Sequence, residues 1–324
     1  MLFCMPIPVI MDVDTGIDDA LALLFAVAHP QIDVIGVTCV AGNAGLEQVV
    51  DNTLRILDLA GAADVPVAGG ASRPLIAPAR AASHVHGADG LGGIVLPEST
   101  RHAVNESAVA LMRRLIMQHP TPVTLIALAP QTNLALLLRT HPEVVERIER
   151  IVFMGGSASV GNATAVAEFN VWHDPEAAAI VRDAGVPTVM YGLDVFNRVA
   201  VQQARADELA AGSHRVGRIV GQLLGHRVAL SEDESLTYTG LIGDAGAVCA
   251  IVAPELVRFE NLPVRVELSG YGRGQTIVDR RPFAGEDRLH GLDDEWSRSD
   301  VALDIEADAV ADLFVRTVLS LPGE

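Results

Sequence analysis

The chain has no lysine, so its 23 basic side chains are all arginine. Without a side-chain primary amine, Schiff-base catalysis, pyridoxal-phosphate attachment and a Walker A phosphate loop are excluded. Aromatic residues make up only 4% of the 324, while half of all residues are hydrophobic. The core is therefore expected to be aliphatic, built from Ala, Val, Leu and Ile. Cysteine is scarce too. Cys4, Cys39 and Cys249 are odd in number and widely spaced, which fits a reducing compartment and three packing residues. The apolar run LALLFAVA at 21–28 is far short of the roughly 20 residues that span a bilayer. MLFCMPIPVI at the N-terminus has no basic region and does not read as a signal peptide. These absences point to a soluble, cytoplasmic protein. The formal charge of −18 turns it away from nucleic acid and anionic membranes as partners.

What is present is an alternation of short apolar runs with helical patterns. Strands are expected at 7–11, 33–38, 122–128, 150–154 and 187–191, near-continuously apolar as strands buried on both faces are. Helices are expected between them at 18–28, 45–60, 105–118, 131–139 and 175–184. This order predicts an α/β fold, a mostly parallel, Rossmann-like central sheet with helices on both faces. Ligands then sit at the carboxyl ends of the strands. Beyond residue 200 the pattern reads as a helix over 201–228, the polar stretch SEDESLTYTG and a buried helix over 244–253. Strands at 263–268, 275–278 and 301–306 follow, then a helix from about 307 to 320. No linker, repeat or low-complexity tract interrupts the chain, so one domain over 1–324 is expected.

Polar residues gather where that topology places a site. PVIMDVDTGIDDALALLFAVAHP, residues 8–30, carries Asp12, Asp14, Asp18 and Asp19 between two apolar runs. Later strands end in TCVAGNAG, LAPQTN and GGSASVGNATAVAEFN. Clustered carboxylates without lysine need a compensating cation, and hard oxygen donors favour Ca2+ or Mg2+ over zinc or copper. Asp18 or Asp19 alternatively caps the following helix, but capping does not explain Asp12 and Asp14. An EF-hand loop starting at Asp12 fails, because Gly16, Ile17 and Leu23 occupy its fifth, sixth and twelfth positions. DVDTG is also similar to the DxDxT of haloacid-dehalogenase-type phosphatases, whose phosphate-holding lysine has no counterpart here.

DVDTGIDDA at 12–20 resembles the DxDxGxDDA signature of the nucleoside hydrolases, the inosine–uridine-preferring group in particular. The resemblance continues through AGN at 41–43, HGADG at 86–90, APQTNLAL at 129–136 and FMGGSASVGNATAVAEFNVWHDPEAA at 153–178. It runs collinearly from about residue 8 to 279. It implies the nucleoside hydrolase fold and a Ca2+ ion held by Asp14, Asp19, the Leu128 carbonyl and Asp244 at the bottom of a ribose pocket. Asp14 is implied as general base, Asp18 and Asn170 as ligands of the ribose diol, and Asn162 and Glu168 as partners of the 5′-hydroxyl. Met154 is expected under the sugar ring, and Asn43 beside the metal ligands. Asp12 is expected to support them. A small-molecule ribonucleoside is the expected partner, and a homodimer or homotetramer the expected assembly.

The chain departs from the family pattern at one point. Many members carry a histidine immediately before the late metal-binding aspartate, where it protonates the leaving base; here that position is Gly243. His86 is the nearest replacement, with Tyr238, His226 and His214 in the region expected to wall the pocket. A purine-specific branch stacks the base between tryptophans, but neither Trp172 nor Trp296 falls in the 84–90 loop. Two alternatives to a nucleoside hydrolase stay open on sequence alone: a member that binds ribonucleosides or acts on modified ribosides, and a metal-dependent phosphatase.

Overall fold

The computed structural model describes residues 5–226, 228–229, 237–238, 240–292 and 295–323. Cys4 and the side chain of Tyr238 lie outside the described residues. The first half supplies strands β1 (Ile7–Val13), β2 (Ile32–Cys39), β3 (Val67–Gly69), β4 (Val123–Ala127), β5 (Ile148–Met154) and β6 (Thr188–Tyr191). A two-residue pair, β7 (Val228–Ala229) and β8 (Thr237–Tyr238), stands apart. β9 (Val257–Val266), β10 (Thr276–Val278) and β11 (Arg298–Ile305) complete the set.

Nine of these form one sheet in the order β10-β9-β11-β6-β5-β4-β1-β2-β3. Every pairing from β11 to β3 is parallel, whereas β9 runs antiparallel to β11 and β10 antiparallel to β9. The expected mostly parallel sheet is therefore present, with an antiparallel edge built from the C-terminal third.

Alternation along β1 explains why helices cover both faces. Val9, Met11 and Val13 point into one apolar core with the helices Ile17–Ala28, Ala245–Val252 and Ala307–Val318. Ile10 points the other way, toward Leu125, Ala127, Leu134 and Leu137. Two expectations change in detail. The helix read over 201–228 is two helices, Gln203–Ala211 and Arg215–Leu224, because Gly212 and Ser213 interrupt the apolar stripe. The strand read from 263 begins at Val257. β3 escapes sequence reading because three residues carry no periodicity.

The strand order fixes where a ligand can sit. From β1 the chain builds outward through β2 to β3, then returns to the other side of β1 with β4, β5 and β6. The crevice between the carboxyl ends of β1 and β4 is thus the switch point of the sheet, the place where α/β proteins bind ligands. Asp12 pairs in register with Thr38 on β2 and Ala127 on β4, and its carbonyl accepts the Leu128 N–H at 2.9 Å.

Asp12 is buried and serves to tie these strands together. Its Oδ1 accepts from Thr38 Oγ1 at 2.6 Å and from Asn133 Nδ2 at 2.8 Å. Burial still pushes its pKa up to about 7. Asn133 also donates to the Cys39 carbonyl at 3.0 Å and accepts the Ala71 N–H at 2.9 Å. One amide thereby joins β1, β2 and the loop after β3. Truncating it strips a donor from a buried carboxylate, so Asn133→Ala should lower unfolding free energy by about 2–4 kcal/mol in a denaturant titration. A loss under about 1 kcal/mol would mean that water replaces the amide there.

Candidate active site

The turn after β1 is organised by its own carboxylates. Asp19, at the third position of the helix Ile17–Ala28, reaches back to the Gly16 N–H at 3.0 Å and the Asp14 N–H at 3.2 Å. Capping and clustering are thus one arrangement for this residue. Asp14 accepts the Asn43 N–H at 2.7 Å and the Asn43 amide at 3.2 Å, and the same amide reaches Asp19 at 3.1 Å. Asn43 holds both aspartates with one side chain. The loop that carries it comes so close that a Cβ on Gly42 would lie 1.9 Å from Asp14 Oδ2, which is why glycine precedes it.

Asp244, just before the helix Ala245–Val252, meets this turn because that helix packs on Ile17–Ala28. Ligand oxygens of Asp18, Asp19 and Asp244 lie within 4.8 Å of one another. Asp14 belongs to the same electrostatic cluster through Asp19. Burial raises the pKa of Asp14 and Asp244 well above the ordinary carboxylate range, and neighbouring carboxylates raise both further. Asp19 is pushed up to about 7 by burial and then by Asp18. Oδ1 of Asp18 is buried without a hydrogen-bond partner among the described residues. No arginine is among the leading causes of these shifts. A convergent set of hard oxygen donors, one unpartnered and none neutralised, fits a bound metal cation.

A cavity of about 690 Å³ opens above this cluster. Of the residues expected at the site, Asp18, Asn43, His86, Leu128, Met154, Asn162, Glu168, Asn170 and Asp244 all line it. Asp14 and Asp19 are completely buried and are absent from its wall.

The long motif after β5 folds on its own polar groups. Glu168 caps the short helix Phe169–His173: Oε1 accepts the Asn170 N–H at 2.8 Å, and Oε2 accepts those of Gly156 at 2.9 Å and Val171 at 3.1 Å. Burial outweighs these bonds and raises its pKa to about 7. Asn170 donates to the Leu128 carbonyl at 2.9 Å and the Met154 carbonyl at 3.2 Å, which joins the ends of β4 and β5. Asn162 accepts the Phe169 N–H at 3.0 Å.

His86 accepts the Ile17 N–H on Nδ1 at 3.2 Å, with that nitrogen 3.8 Å from Asp18 Oδ1. The neutral ring then carries its proton on Nε2, and burial lowers its pKa. His226 sits beside it, bonded through Nε2 to the Val85 carbonyl at 3.1 Å. His214 has a different job. It caps the helix Arg215–Leu224 and contacts the Leu321 carbonyl, and it does not line the cavity. Sequence reasoning missed the outer wall, where Phe169 and Phe196 lie and the Arg80 guanidinium packs 4.4 Å from the centre of the Trp172 ring. Phe169 was signalled only by its place beside Glu168. Arg80 and Phe196 come from segments with no motif.

Residues 9–312 match the model of the inosine-uridine preferring nucleoside hydrolase family. The chain belongs to that family. A Citrobacter koseri protein named pyrimidine-specific ribonucleoside hydrolase RihA is 42% identical over 277 residues, covering 85% of this chain and 89% of the relative. A Shigella boydii protein of the same name is 39% identical over 311 residues, 95% and 97% of the two chains. Among solved structures, the plant nucleoside hydrolase PpNRh1 superposes with a TM-score of 0.88 at 28% identity, over 97% of this chain and 99% of its own. A purine-preferring ribonucleoside hydrolase from Gardnerella vaginalis gives 0.86 at 29% identity, over 97% and 98%. The nucleoside hydrolase is accordingly an enzyme, an N-glycosidase acting on ribonucleosides, built on the α/β nucleoside hydrolase fold.

The displaced pKa of Glu168 has a measurable consequence. Between the ordinary value of 4.5 and about 7 the folded state holds a proton that the unfolded state has lost. Stability therefore falls as pH rises through that window, by on the order of 3 kcal/mol for this residue. Glu168→Gln removes the charge and forfeits one N–H contact at every pH. Its deficit against the unaltered protein should shrink between pH 5 and pH 7.5 in denaturant titrations. A deficit independent of pH would show that Glu168 does not titrate in this range.

Proposed function

We propose that this nucleoside hydrolase is a Ca2+-dependent enzyme that cleaves the N-glycosidic bond of pyrimidine ribonucleosides to ribose and free base. The observation that carries the reading is the convergence of buried, uncompensated carboxylates at the β1/β4 crevice, under a cavity large enough for a nucleoside. Asp14, Asp19, the Leu128 carbonyl and Asp244 are the residues that would hold the ion, with Asp18 converging on the same point. When bound, the ion supplies Lewis acidity toward oxygen and balances the carboxylate charge.

Asp14 serves as general base and takes the proton of the attacking water. Asp18 and Asn170 hold the ribose 2′- and 3′-hydroxyls, Asn162 and Glu168 hold the 5′-hydroxyl, and Met154 lies under the ring. Gripping the sugar by its hydroxyls supplies orientation. As the C1′–N bond breaks, positive charge develops on the ribosyl group, and the surrounding carboxylates stabilise it. His86, which lines the cavity with its proton on Nε2, is the donor assigned to the departing base. Two features favour a pyrimidine. The relatives at about 40% identity are named for it. Only Trp172 lines the cavity among the described residues, and Arg80 covers one of its faces, so no tryptophan pair is available to sandwich a purine. The reading includes salvage of bases by a cytoplasmic homodimer or homotetramer. Family membership favours neither the phosphatase nor the binding-only alternative.

Release of free base from uridine, cytidine, inosine and adenosine tests the proposal. Uridine and cytidine should be cleaved fastest, a chelator should abolish turnover, and Ca2+ should restore it. Asp14→Ala should lower kcat by ~10²–10⁴-fold, the usual contribution of a positioned base. Phosphate release from a nucleotide without base release would replace this reading with a phosphatase. Tight nucleoside binding without turnover would replace it with a binding protein.

A further inference from the structure

The structure assigns Gly243 as a positioning residue, the one that lets Asp244 close on Asp18 and so completes the carboxylate cluster. Its φ is +54°, in the left-handed region that glycine enters without a Cβ penalty. The backbone passes so near the helix Ile17–Ala28 that a Cβ on residue 243 would lie 2.4 Å from Asp18 Cβ and 3.0 Å from Asp18 Oδ2. Real Cβ atoms do not tolerate the first distance, and the clash is with the root of the Asp18 side chain rather than a flexible tip.

Neither partner can yield cheaply. Ile242 is tied to the Val199 carbonyl at 3.1 Å on one side of Gly243. On the other, the helix Ala245–Val252 is wedged so tightly that a Cβ on Gly246 would lie 2.0 Å from the Tyr191 hydroxyl. Asp18 is held in the first helical turn, which the Asp19–Gly16 and His86–Ile17 bonds fix in place. An added carbon at 243 therefore drives Asp18 and Asp244 apart. The same contact bars an imidazole there. With glycine at 243, protonation of the leaving base falls to other groups.

This inference rests on the metal reading above, and its test reads ion binding directly, so it does not depend on turnover. Metal-stripped protein is titrated with Ca2+ by calorimetry and with Tb3+ by luminescence, with circular dichroism reporting the fold. Gly243→Ala and Gly243→Asn should each weaken binding at least ten-fold. Asparagine tolerates left-handed φ, so a loss shared by both variants traces to the added carbon. Affinity within two-fold of the unaltered protein in either variant would overturn the inference. If neither variant folds, Asp18→Gly combined with Gly243→Asn decides: removing the opposing Cβ should restore folding, and a double variant still unfolded where Asp18→Gly alone folds overturns the inference. Unaltered protein that binds neither ion overturns the metal reading, and this inference falls with it.

Discussion

Mutual repulsion among buried carboxylates is the constraint that the surrounding structure is arranged to withstand. Asp14, Asp19 and Asp244 are all almost wholly removed from solvent, and the ligand oxygens of Asp18, Asp19 and Asp244 sit no more than 4.8 Å apart. Two unit charges at such a distance repel by on the order of 3 kcal/mol even at a protein-like effective dielectric of about 20. Amides and backbone N–H groups offset part of this. Asn43 donates to two of the aspartates, the helix start donates to Asp19, and Asn133 holds Asp12 behind them. What they leave uncompensated is the charge that a divalent cation, or a developing sugar cation, would meet. The repulsion among these carboxylates and the chemistry proposed for the site have the same origin.

The sheet makes this crowding possible without unravelling the core. Aspartate is tolerated at the end of β1 because β1 lies at the switch point, where the neighbouring strands diverge and the loops that follow them lean away. Within the strand the alternation of faces keeps Val9, Met11 and Val13 in one core and Ile10 in the other. The helix Ala245–Val252, at the far end of the sequence, packs on the helix Ile17–Ala28 and delivers Asp244 to the cluster. The site therefore depends on contacts between segments more than 200 residues apart in the chain.

The sheet and most of the site were legible in the sequence for different reasons. Strands β1, β2, β4, β5 and β6 showed because strands buried on both faces are nearly continuous apolar runs, and the aspartates showed because nothing in a core strand requires them. Asn43, Asn162, Glu168 and Asn170 showed through motif resemblance rather than through periodicity, since each lies in a loop or at a helix end. The outer wall was not legible. Arg80 and Trp172 meet across a sequence gap of about ninety residues by stacking, and a stacking partner leaves no spacing to read. His214 shows a related limit: a histidine in a region expected to wall the pocket looks the same in sequence as one that caps a helix.

Gly243 shows where a motif is least able to speak for itself. Read as a departure from the family pattern, it is a missing proton donor. In the folded chain it occupies a left-handed turn pressed against Asp18, so the missing side chain and the close approach of two carboxylates are one geometric fact. In the proposed reaction the leaving-group proton therefore has to come from a residue other than 243. His86 lines the cavity beside Asp18, with Nδ1 committed to the Ile17 N–H, which leaves Nε2 as the proton-bearing atom of the ring.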